Sequence, residues 1–171
     1  MKKLILQLSL IILIILTILN SIFFIEILQN NDLKGIYLGK ELPDDYSEKE
    51  KIHMQEVKTL TNISLSLNFL SLLSIIFLRK TKINLKTTGK ALTIISILLT
   101  LGAIFFKKFF HYFHILFFNS ENWLLPASSI LIQTYPLIFF RDKFIILIAF
   151  LFLLGVCLIY NKKLKEISKF I

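Results

Sequence analysis

The residues best suited to chemistry lie between Phe105 and Phe118, FFKKFFHYFHILFF, where Lys107, Lys108, His111 and His114 stand among seven phenylalanines. On a helix, spacings of four and three put Lys107, His111 and His114 on one face, a basic and titratable stripe set in apolar rings. A neutral imidazole in such a place can take a proton from an attacking amine, or help stabilise charge on an ester oxygen. Two plainer uses of the same residues stand beside this one. An interfacial amphipathic segment would use its Lys and His only to touch lipid headgroups. The three-residue spacing of His111 and His114 could also serve two ligands of a metal, with His53 or a Glu as the third.

The elements that must hold these residues are membrane spans. With 56% apolar residues and a mean hydropathy of +0.74, clustered rather than spread, the chain reads as an all-α integral membrane protein. Four stretches are apolar enough to cross: 4–28, 59–78, 91–106 and 144–160. The first is about 37 Å long as a helix, against a hydrocarbon core of about 30 Å. It lacks the short apolar core and small-residue cleavage site of a signal peptide, so a retained span is expected. The third and fourth stretches are shorter and need their flanks to complete a crossing.

The net charge of +9 follows the spans and needs no nucleic acid. With the N-terminus cytoplasmic, the inner segments 1–3, 79–90 and 161–171 carry 11 Lys/Arg in 26 residues, whereas the outer segments 29–58 and 107–143 carry 9 in 67. Arg79 to Lys90, RKTKINLKTTGK, has five basic residues and no acid, as expected of a cytoplasmic hairpin beside anionic lipid. Both termini are therefore expected inside, and one membrane domain, 1–171, accounts for the whole chain. Cys157 stands alone in an apolar run, which leaves no disulfide within the chain and points to no thiolate chemistry.

The outer segments form the expected small extracytoplasmic cap. In the first, Ser47-Glu48-Lys49-Glu50 has the form of a capping box, and one helix is expected from there to Leu78. On that helix His53, Ser64, Asn68 and Ser71 share a face, and the last three are the kind of side chain that glues spans together. His53 lies about 8 Å above the apolar part of its helix. His114 lies beyond the third span on the same outer side, so topology places both at one level. Glu121 to Phe140 is apolar enough to tempt a fifth crossing, but that would carry the basic tail outside. Pro126 and Pro136 instead bracket a short re-entrant or interfacial helix at about 126–134, with Trp123 and Tyr135 at headgroup level.

Two blocks resemble the lipoprotein intramolecular transacylases, a family of bacterial membrane proteins: Tyr46 to Lys58, YSEKEKIHMQEVK, and Phe110 to Phe140, FHYFHILFFNSENWLLPASSILIQTYPLIFF. The second carries most of the likeness, in Phe113-His114-Ile115-Leu116-Phe117-Phe118, then Asn119, Trp123, Pro126 and Tyr135-Pro136. The resemblance implies an enzyme at the outer face of the cytoplasmic membrane. It would move the sn-2 acyl chain of a lipoprotein's diacylglyceryl group onto the α-amino group of its N-terminal cysteine, giving a lyso-form lipoprotein. The family's two essential histidines would fall on His53 and His114, whereas His111 is not implied. Glu56 stands where the family pattern has Asp, and the first outer segment is shorter than is usual.

An α-amino group with a pKa near 8 is largely protonated at neutral pH, so attack on an ester gains from a nearby base. Nucleophile and ester belong to one lipid-modified molecule, so no acyl-enzyme and no second substrate are needed. His53 and His114 are the expected catalytic pair, with Glu56, Asn119, Trp123 and Tyr135 as candidates to orient an imidazole or position substrate. No cofactor and no metal are expected. The expected partners are a diacylated lipoprotein and membrane lipid, with the protein a monomer. The competing readings are a metal-dependent membrane hydrolase built on His111 and His114, and a non-enzymatic membrane accessory protein.

Overall fold

In a computed structural model that describes residues 1–160, the chain is helical throughout, with no strand among the described residues. The helices are α1 (Lys2–Gln29), α2 (Asn31–Tyr37), α3 (Glu48–Phe77), α4 (Leu85–Ile104), α5 (Phe106–Phe117), α6 (Ile130–Thr134) and α7 (Leu137–Tyr160). Four of them, α1, α3, α4 and α7, are long and apolar enough to cross a membrane, which makes this a multi-pass membrane protein. Their outward surfaces are apolar and open, as at Leu8, Ile63, Phe69, Leu98 and Phe150. Such side chains are stable only against lipid, while the helices satisfy their own backbone hydrogen bonds. The expected cytoplasmic tail, 161–171, lies outside the described residues.

The spans form two pairs. Ser64 Oγ on α3 donates to Asn20 Oδ1 on α1 at 2.8 Å, and Asn68 Nδ2 donates to Thr17 Oγ1 at 3.1 Å. The polar face of α3 is thus spent on packing against α1. In the second pair α4 crosses α7 at Gly89 and Gly155. A methyl added at Gly89 would lie 2.6 Å from the Gly155 carbonyl oxygen, so only glycine lets the backbones approach this closely. Leu92, Leu147 and Leu151 are buried beside that crossing, against Ile11, Ile14, Ile15 and Ile18 of α1.

Local chemistry sets the ends of the elements. Ser47 accepts from Glu50 N while Glu50 Oε2 accepts from Ser47 N at 2.8 Å, so α3 opens with the expected capping box. Asn84 caps α4 by accepting from Thr87 N, which starts the third span at Leu85, inside the basic stretch and before the expected residue 91. Only Phe105 separates α4 from α5, and Gly102 leaves room for the Phe109 ring at that bend.

The segment from Pro126 to Pro136 departs from expectation at its start. The Pro126 carbonyl accepts from Ser129 N in a turn, and the Ser129 hydroxyl accepts from Ile132 N, so the helix begins at Ile130 and not at the proline. Serine supplies the capping oxygen that proline lacks. After Pro136 the last span starts at once, at Leu137, seven residues before the expected 144.

A second core lies beside the ends of the spans. Leu33, Ile36, Leu42, Tyr46, Met54 and Leu131 pack there with Ile27. Three polar contacts tie this region together. Tyr46 donates to Asp32 Oδ2 at 2.8 Å, Lys58 Nζ donates to the Ile36 carbonyl at 2.7 Å, and Leu131 N donates to Glu50 Oε1 at 2.9 Å.

Candidate active site

His53 comes from the second turn of α3 and His114 from the last turn of α5, 61 residues apart in the chain. Their ring centroids stand 5.9 Å apart, and both rings are largely enclosed. Phe118 closes one side, with its ring 5.0 Å from that of His53 and 5.2 Å from that of His114. Trp123 closes another, 5.0 Å from the His114 ring.

The two imidazoles differ at Nδ1. His114 Nδ1 lies 2.7 Å from the Phe110 carbonyl oxygen, one turn back on α5. A carbonyl only accepts, so Nδ1 carries the proton and a neutral ring presents Nε2 as a free base. Burial holds the His114 pKa below its ordinary value. The charge of His111 works in the same direction and the Phe110 carbonyl against it. His53 Nδ1 faces Glu56 Oε2 at 3.6 Å, an ion-pair distance longer than a hydrogen bond. Both of those atoms are buried without a hydrogen-bonding partner. Burial and the neighbouring His114 hold the His53 pKa below its ordinary value, and the Glu56 carboxylate works against them.

The other sequence candidates are distributed unevenly around this pair. Glu56 and Trp123 touch it. Asn119 is exposed, on a neighbouring cavity. Tyr135 packs on Phe139 and Phe140, and its buried hydroxyl has no partner. Burial and the charges of Glu26 and Asp32 push that phenol up to about 12, so it is a proton donor throughout the physiological range.

The expected stripe of Lys107, His111 and His114 is divided. His114 is buried, while Lys107 and His111 are exposed. Spacing alone does not foresee this, because Trp123 covers only part of that face, its ring 5.4 Å from the ring of His111. Among the described residues no three His, Cys, Asp or Glu side chains converge in a group able to hold a metal ion.

Two contributors escape the sequence reading. The Phe110 carbonyl, which fixes the His114 tautomer, carries no side-chain signal. Glu50 reads in sequence only as a capping residue, yet its second oxygen reaches across to Leu131 and joins α3 to α6.

A family model described as lipoprotein intramolecular transacylase Lit matches residues 41–140, a stretch that contains both histidines, Glu56, Trp123 and the Glu50–Leu131 link. None of the curated proteins or solved structures compared matches the chain. A match over more than half of its length, on an all-helical protein with four candidate spans, shows that the chain belongs to the lipoprotein intramolecular transacylase family.

Proposed function

We propose that this protein moves the sn-2 acyl chain of an S-diacylglyceryl lipoprotein onto the α-amino nitrogen of the same molecule's N-terminal cysteine, leaving a lyso-form lipoprotein. The single observation that carries this reading is the pairing of His53 and His114, 5.9 Å apart, with the Phe118 and Trp123 rings packed against them. The Lys/Arg asymmetry of the connecting segments favours an outward-facing site in the cytoplasmic membrane, with both termini inside. Residues 1–171 act as one membrane domain, and a monomer suffices because both imidazoles come from one chain.

The steps balance within substrate and protein. Neutral His114, its Nδ1–H held by the Phe110 carbonyl, accepts one amine N–H at Nε2 and orients the nitrogen. The nitrogen attacks the sn-2 ester carbon, and a C–N bond forms. His53 takes the proton that the nitrogen sheds, and Glu56 stabilises the resulting imidazolium. Collapse of the tetrahedral intermediate breaks the C–O bond, and His53 returns its proton to the departing glyceryl oxygen. The Phe118 and Trp123 rings keep water from competing for the ester.

The test is expression in a bacterium whose lipoproteins are only diacylated, followed by mass spectrometry of their N-terminal peptides. An amide-linked acyl chain with one fewer ester-linked chain is expected. Unchanged diacylglyceryl peptides from well-expressed protein would overturn the proposal.

A further inference from the structure

The chain past α5 folds back to make a largely open cleft of about 490 Å³ that neither His53 nor His114 lines. That volume lies within the range of small-ligand sites. Its walls include Ile115, Leu124 and Trp123, and its polar groups are those of His111, Asn119, Ser120 and Glu121. The partition between cavity and histidines is one ring thick. Phe118 and Trp123 line the cavity and also touch the imidazoles. Among the described residues, Glu121 makes no salt bridge.

We propose that this cavity binds the peptide that follows the modified cysteine, a deepening that rests on the acyl-transfer reading above. With the ester and the amine held between the imidazoles and the acyl chains in lipid, the peptide must leave the site in a direction away from the hydrocarbon. The cavity adjoins the imidazoles through the Phe118 and Trp123 rings. Its acceptors suit what leaves, since a peptide offers backbone N–H donors to the Asn119 and Ser120 oxygens, and a basic side chain would meet the Glu121 carboxylate. The site therefore reads the first few residues after the cysteine, and favours a lysine or arginine among them.

Trp123 is the only tryptophan in the chain, so its fluorescence reports occupancy directly. The full chain in nanodiscs of phosphatidylglycerol and phosphatidylethanolamine is titrated with two unreactive probes. One is S-diacylglyceryl-N-acetylcysteine amide, and the other carries three further residues, either neutral or with one lysine. The amide, held beside His114, also perturbs Trp123, and the expected result is a further Trp123 response to the longer probes beyond the one the amide gives. Ser120→Phe, which fills the cavity, abolishes that further response. Glu121→Gln weakens the lysine probe about three- to fivefold, as for an exposed ion pair, and leaves the neutral one unchanged. Equal responses to the amide and the longer probes overturn the proposal, as do unaltered affinities in both variants. Because the probes lack a free amine, these readings stand whether or not the wild-type chain transfers acyl groups, so the two proposals fail separately.

Discussion

The α1·α3 pair meets through side chains, Ser64 on Asn20 and Asn68 on Thr17, whereas the α4·α7 pair meets through backbone, at Gly89 and Gly155. The first arrangement can slip or repack at the cost of single hydrogen bonds, which average about 0.6 kcal/mol between membrane helices. The second fixes an interaxial distance, because any Cβ at the crossing meets a carbonyl oxygen. His53 stands on α3 and His114 on α5, which continues from α4. The proposed pair thus draws one imidazole from each kind of packing, and its spacing depends on how the two halves are joined. The joins are the apolar contact of Ile11, Ile14, Ile15 and Ile18 with Leu92, Leu147 and Leu151, and a few polar links. Gln7 bonds Thr88, Lys143 pairs with Glu26, and Glu50 holds Leu131.

If the two halves supply one catalytic unit, His53→Ala and His114→Ala each lower acyl transfer by about 10²- to 10⁴-fold, the usual worth of a positioned acid or base. The double variant then falls little further than the worse single one. Multiplying losses in lyso-form product, measured by mass spectrometry, would mean that the histidines act apart. The next effect separates the pairs themselves. Gly89→Ala puts a methyl 2.6 Å from the Gly155 carbonyl and should lower stability by about 1–3 kcal/mol, read as a lower midpoint of thermal unfolding in detergent. An unaltered midpoint would show that α4 and α7 can separate without cost.

The part of this design that is legible in the sequence is what composition and period control. Four apolar runs, the basic stretch at 79–90 and the capping box at Ser47 are each written in consecutive residues, and four long helices cover most of those runs, although α4 starts inside the basic stretch and α7 starts seven residues early. Boundaries depend on which side chain reaches an orphan N–H, and there Ser129 displaces Pro126 as the start of α6. The common level of His53 and His114 follows from topology. Their contact does not, since it depends on Phe118 and Trp123 packing between segments far apart in sequence. For the same reason Lys107 and His111, in register with His114, stay exposed.

The joins and the polar zipper give smaller effects, in that order. Glu50→Ala removes a cap and leaves the buried Leu131 N–H without an acceptor, a loss of about 1–2 kcal/mol. Its signature is early hydrogen exchange in α6 while α4 and α7 stay protected, and uniform loss of protection would show that the link does not act locally. Ser64→Ala and Asn68→Ala each cost about 0.6 kcal/mol. A loss at either position as large as that of Gly89→Ala would abolish the distinction between the pairs.

The smallest effect concerns the protons of the site. Burial lowers the His114 pKa in the folded chain, so between the ordinary value near 6.5 and the lowered one the unfolded chain binds a proton that the folded chain does not. The stabilisation this confers is complete above the ordinary value and is lost as pH falls through that window, ahead of the range in which unperturbed carboxylates titrate. His114→Asn keeps an N–H that can reach the Phe110 carbonyl but cannot titrate. Unfolding midpoints followed from pH 7.5 down to 5.5 should therefore fall more steeply for the wild-type chain than for His114→Asn. Parallel curves would mean that His114 takes up its proton in the folded chain as readily as in the unfolded one. At the ordinary value part of the His114 population would be charged at neutral pH and unable to accept the amine's N–H, so the half of the pair carried by α5 would act below its full strength.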